Sequence, residues 1–467
     1  MSDRRPGTAE KSEPSDPSAV QAAGRRRWPA SEAFSVLDQL LFNGANFGFN
    51  ILLARWLGLS AYGAFAVGLS VFFLAGAMHT AVLTEPMMVF GGTKYSTRFS
   101  WYIGLLVNFH WVLSGIIALA LALGALVVGY LGSHQMALAL WGVAVASPFI
   151  LLSWLVRPAC YVQRVAQYAA VGSGLYALLI VLTLWWLQDR GLLTVVTAFL
   201  SMGLASFISA LVVIALLKNR GQIAIPGGGD ESARDVLRGH WAYGSWNVVG
   251  TIAQWSSSQI LFVLTPMFLN LAAVGAMSVG ATLMRPLFPM IRSITPLMLP
   301  RVTSDIGDPE RAGALRKYVF RWLAVCAGGT LFYTLVLTLF YVPVSRHLFA
   351  GKYLGYRDLV LLFGLAYTAS AAVQAIHVVI RAMGETRAIA FVWGAPGILT
   401  ALLSIPVFLF GSLTGVVAIF ALSYWIALGL TLWLGAGPLF GHQRSASLGS
   451  LADVPRALVR LKGIARS

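Results

Sequence analysis

Two cysteines, seven histidines and seventeen acidic residues are all that 467 positions hold of the groups that build disulfides, metal centres and acid–base sites. Cys160 and Cys326 form no disulfide framework, and no Cys or His spacing matches a metal site. A Cys/His/Asp catalytic set is absent as well. Charge is scarce at 11%, and the only long polar stretch inside the chain, 218–240, leaves no room for a soluble domain. Nor is there a basic motif interleaved with stacking aromatics, so the net charge of +16 does not read as nucleic-acid binding.

What is present is apolar. At 58% hydrophobic residues and a mean hydropathy of +0.76 the chain lies far outside soluble averages. Stretches of about 20 apolar residues, enough for a hydrocarbon core of about 30 Å, recur about twelve times. Six fall within 34–217 and six within 241–434. This predicts an all-α polytopic membrane protein with an N-lobe at 34–217, a connector at 218–240 and a C-lobe at 241–434. Residues 1–33 cannot build a core and read as a disordered tail, without the apolar stretch and cleavage site of a signal peptide. The connector carries a flexible Pro226–Gly229 run, then a helix start at Asp230-Glu231. The basic tail at 435–467 is either disordered or, over 451–466, an amphipathic helix on the inner leaflet.

Placing the N-terminus in the cytoplasm puts 26 of the 33 Lys and Arg residues on that side, against five opposite: Arg55, Arg190, Arg346, Lys352 and Arg357. That bias predicts an inner-membrane protein with both termini cytoplasmic, in contact with anionic lipid. The opposite loops hold only two carboxylates, Asp189 and Asp358. An integral-membrane glycosyl transfer needs more than that, so no enzyme is expected.

One segment occurs twice. LGLSAYGAFAVGL (57–69) and LNLAAVGAMSVGA (269–281) match at seven of thirteen positions, including Leu59/Leu271, Gly63/Gly275 and Gly68/Gly280. Each joins the first and second helix of its half. Six helices per half make the repeats parallel, as in transporters whose two halves alternately expose a midplane site.

The chemistry then rests on polar groups inside the membrane. Arg285 and Arg292, seven residues apart in the eighth helix, are expected to share one face about 10 Å apart along the axis. Each costs about 2.5–3.5 kcal/mol against lipid, so both are expected to face a wet cavity or to pair with a buried carboxylate. A cationic cavity suits an anionic ligand, and guanidinium forks match phosphate oxygens. Pro286, Pro289, Pro296 and Pro300 interrupt the same helix. The seventh helix adds Asn247 and Gln254 among many hydroxyls, and the first aligns Asn43, Asn46 and Asn50 on one face, for binding sugar hydroxyls or for gluing helices. Asp38 reads either as a capping-box acid with Ser35 or as an ion-coupling residue. Glu85, before Pro86, wants water or an Arg, and His79 titrates near neutral pH or packs as a lone histidine. Arg55 is expected to snorkel at the surface. No cofactor is implied beyond a proton or sodium gradient.

LLARWLGLSAYGAFAVGLSVF (52–72), together with LFAGKYLGYRDLVLLFGLAYTASAAVQAIHVVIRAMGETR (348–387) and its R-A-x-G-x-T-R helix end, resembles the bacterial polysaccharide flippases. These are the O-antigen and capsule exporters of the multidrug/oligosaccharidyl-lipid/polysaccharide superfamily. The resemblance implies a V-shaped two-lobe bundle with a cationic central cavity. It implies flipping of polyprenyl-pyrophosphate-linked oligosaccharide for surface polysaccharide biosynthesis, and it assigns none of the site residues. A polysaccharide polymerase and a chain-length regulator become expected partners. The alternatives are an ion-coupled multidrug/cation antiporter of the same superfamily and a non-transporting scaffold.

Overall fold

The computed structural model describes residues 30–221, 232–305, 310–382 and 386–439. Among them there is no strand. The first half comprises α1 (Ala30–Trp56), α2 (Leu59–Gly92), α3 (Phe99–Tyr130), α4 (His134–Val162), α5 (Ala166–Asp189) and α6 (Val195–Asn219). The second comprises α7 (Ala233–Phe268), α8 in two pieces (Leu271–Met284 and Leu287–Asp305), α9 (Ala312–Leu339), α10 (Arg357–Ala382), α11 (Thr386–Leu409) and α12 (Leu413–Leu439). A short helix, Tyr341–Phe349, precedes α10. The Pro226–Gly229 run, the 451–466 stretch and most of both tails lie outside the described residues. Residues 233–240, expected in the connector, are the first turns of α7.

Nine helices among the described residues are long and apolar enough to cross a membrane. The other three expected spans fall short for visible reasons. α1 carries Glu32, Asp38 and Arg55, α8 is broken, and of α11 only Pro396–Leu409 meets the measure of a shorter apolar helix. Within the first half α4 packs on α3 and α6, and α1 on α5; within the second, α10 packs on α9 and α12, and α11 on α7 and α12. The halves meet where α2 crosses the first piece of α8 and runs along α7. Large aromatics fill the core within each half. Phe65 of α2 stacks on Phe199 of α6 at 4.6 Å, and Phe262 of α7 on Phe363 of α10 at 6.5 Å. Rings of this size dominate packing energetics, and the core is continuous across the halves.

The break in α8 follows from its prolines. Pro286 and Pro289 lack the N–H groups that would bond Thr282 and Arg285 four residues earlier. Those two carbonyls are taken up one residue sooner, by the N–H of Arg285 at 3.0 Å and of Phe288 at 3.1 Å. The axis is thus interrupted at 285–286, so Arg285 and Arg292 do not stand on one unbroken helix. Arg292 lies in the second piece; its side chain is outside the described residues.

Candidate functional site between the halves

The duplicated segment is the crossing itself. α2 and α8 meet so closely that a Cβ on Gly63 would fall on the Leu271 carbonyl, and one on Gly275 on the Leu59 carbonyl. Leu59/Leu271 and Gly63/Gly275 are corresponding positions of the repeat, so each half presents the same residues to the other, and only glycine admits the approach. Tyr62 of α2 extends this contact to hydroxyls of α8, 3.3 Å from Thr282 and 3.3 Å from Ser278. The end of the bundle holding this crossing is called distal here, and the end where α1 begins is called terminal.

A clasp closes the distal end further. The Lys352 ammonium donates to the last carbonyls of the first helix and its link, Arg55 at 2.6 Å and Leu57 at 3.0 Å. The Arg55 guanidinium donates in turn to the His347 carbonyl. Arg55 therefore does not snorkel freely; it binds the opposite half, because helix ends leave carbonyls that want donors.

Arg285 caps the first piece of α8, just past the Tyr62 hydroxyl cluster. It is half-buried, near Tyr62 of the first half and Tyr367 of the second, and among the described residues no carboxylate stands within ion-pair distance of it. The expected alternative, a buried ion pair, is realised elsewhere. Asp38, fully buried in α1, receives two hydrogen bonds from Arg157 of α4, Nε to Oδ1 at 3.1 Å and Nη2 to Oδ2 at 2.7 Å. Tyr161 of α4 and Ser173 of α5 donate hydroxyls to the same carboxylate, and the Phe42 ring covers the guanidinium at 4.0 Å. The capping-box reading of Asp38 is overturned: α1 begins at Ala30, so Ser35 and Asp38 stand inside the helix, where no free N–H groups remain to be capped.

The asparagine stripe of α1 is mostly spent on its own backbone. Asn43, Asn46 and Asn50 each donate to the carbonyl four residues earlier at 2.8 Å. Asn46 also accepts from Tyr176 of α5 at 3.0 Å, Asn43 is exposed, and the buried Oδ1 of Asn50 has no hydrogen-bond partner. In α7, Gln254 is exposed, and Asn247 donates to Oε2 of Glu85 at 2.9 Å. Glu85 thus meets an amide of the other half, where water or an arginine was expected. His79 is not alone: its Nε2 lies 3.0 Å from Nδ1 of His110 in α3, both rings buried. Arg157, Tyr62, Lys352, His110 and His240 escaped the sequence reading. Each finds its partner at long range, and the only signal was that each is a polar residue in or beside an apolar span.

No protein-family model and no curated protein sequence matches the chain. Solved structures do. An inward-facing multidrug resistance MATE family transporter of the MOP superfamily superposes with a TM-score of 0.70 at 13% identity, covering 88% of this chain and 96% of that one. The lipid II flippase MurJ, in an inward closed conformation, gives 0.65 at 12%, covering 86% and 87%. The MATE multidrug transporter DinF-BH gives 0.62 at 17%, covering 90% and 98%. This chain is therefore an all-helical bundle of two repeats with the fold of these transporters.

Proposed function

We propose that the chain is a flippase that moves a polyprenyl-pyrophosphate-linked oligosaccharide across the bacterial inner membrane by alternating access, for surface polysaccharide biosynthesis. The observation that carries this reading is Arg285, a half-buried guanidinium between the halves with no carboxylate at ion-pair distance among the described residues. A guanidinium in such a place wants an anion, and its fork fits pyrophosphate oxygens. Arg292 would extend the cationic surface along the second piece of α8. Gln254 and Asn43, both exposed, offer hydrogen bonds to sugar hydroxyls, and Asn46, Asn50 and Asn247 would join them on exchanging or opening their present contacts. The basic residues orient the termini to the cytoplasm. A polysaccharide polymerase and a chain-length regulator are the partners this role calls for.

A proton or sodium gradient would drive the cycle, and of the three coupling candidates Glu85 is the best placed. Asp38 is held by Arg157 and two hydroxyls, and His79 by His110, whereas only one oxygen of the half-buried Glu85 is engaged by Asn247. A multidrug/cation antiporter shares this fold, but a cationic substrate needs carboxylates where Arg285 stands. In cells lacking their own glycan flippase, Arg285→Ala should abolish export while the protein accumulates normally, and Arg285→Lys should rescue only in part, having charge without the fork. Wild-type export by Arg285→Ala refutes the reading.

A further inference from the structure

α2 is interrupted at Thr80–Thr84 by one π turn, in which the N–H of Glu85 reaches back to the Thr80 carbonyl. The next residue, Pro86, has no N–H to give. In α register its missing donor would have bonded Val82, and in π register Ala81, so both carbonyls lose a partner inside their own helix. Buried carbonyls must be satisfied from elsewhere. Here the start of α7, which belongs to the other half of the sequence, supplies what α2 lacks. His240 Nδ1 lies 3.0 Å from the Val82 oxygen. Gly244 presses against the neighbouring carbonyl, where an added Cβ would come within 2.7 Å of the Ala81 oxygen.

The seat is deeper than one bond. With Nδ1 donating to a carbonyl, Nε2 of His240 is the acceptor for the Tyr102 hydroxyl of α3 at 2.6 Å. Phe90 of α2 stands edge-on to His240 with centroids 5.8 Å apart. One turn earlier, Val236 is buried in an apolar cluster whose other buried members, among them Leu83, Met87, Phe99 and Leu155, all come from α2, α3, α4 and the α2–α3 link. Asn247 then closes the segment on Glu85.

We propose that Ala233–Asn247 is a strap from the second half fixed to the first by the Val82 carbonyl that Pro86 releases and by the close approach of Gly244 beside it. The mechanical boundary between the halves then lies beyond Asn247, not at the 218–240 connector, and the α2/α7 seam stays shut while the terminal end opens and closes. Spin labels at Thr97→Cys and Arg238→Cys, both exposed, in a Cys160→Ala, Cys326→Ala background report the seam by pulsed dipolar distance measurement on the full chain in lipid nanodiscs. The strap predicts one narrow distance distribution. Adding His240→Ala should broaden it, and so should Pro86→Ala, which restores the missing N–H and draws the carbonyl back into its own helix. A broad or two-peaked distribution in the labelled parent overturns the proposal, and so does a distribution that stays narrow in either variant.

Discussion

Arg157 in the first half, buried, and Arg285 in the second, half-buried, stand in one apolar bundle, and their surroundings are opposite. Arg157 is met by the fully buried Asp38 through two hydrogen bonds, and that carboxylate takes two further hydroxyls. Arg285 stands where the repeat breaks, beside tyrosines from both halves, and faces no carboxylate among the described residues. A buried charge with its partner is a fastener between helices. A half-buried charge without one is, on the proposed reading, kept for an anionic ligand. The two sites differ in what the protein itself supplies.

The largest effect should come from breaking the fastener. Asp38→Ala leaves Arg157 buried and unpaired and should cost about 3–5 kcal/mol, read as lost thermal stability in detergent. The paired change Asp38→Leu with Arg157→Met should recover most of it, since well-packed apolar replacements of buried ion pairs are often neutral. Arg285→Ala is the sharpening control: it breaks no ion pair, so it should lose far less unfolding free energy than Asp38→Ala. A stability loss at Arg285 equal to that at Asp38 would collapse the distinction.

Next in size is the crossing that ends just before Arg285. Gly63→Leu places a side chain against the Leu271 backbone and should force α2 and α8 apart. Thiol labelling of a Cys at Leu59 would then speed up. Unchanged protection would mean that the two glycines do not seal the distal end. Smallest is the clasp. Lys352→Met removes two donors from exposed or half-buried carbonyls and should cost about 1 kcal/mol, read by the same unfolding measurement.

The duplicated segment was legible because its glycines sit at corresponding positions, and the structure brings those same residues together. Arg285 was legible too, since an arginine within an apolar span demands a reason. The Asp38–Arg157 pair was not: 119 residues separate them, and a carboxylate three positions after a serine looks locally like a cap. The interruption at Arg285 was readable in Pro286 and Pro289, whose missing N–H groups end the first piece of α8 there. The seat of α7 was hidden for the same reason as the Asp38–Arg157 pair. Proline tells which carbonyls are released, but not that His240, more than 150 residues away, takes one of them.

The most direct test of the claim for Arg285 is binding without transport. Titrating purified protein with a polyprenyl pyrophosphate should raise its unfolding temperature, because a ligand bound only by the native state stabilises it. The shift should vanish in Arg285→Ala and be partial in Arg285→Lys, with Asp38→Leu/Arg157→Met still responding as the parent does. An equal shift in Arg285→Ala and parent would contradict the account.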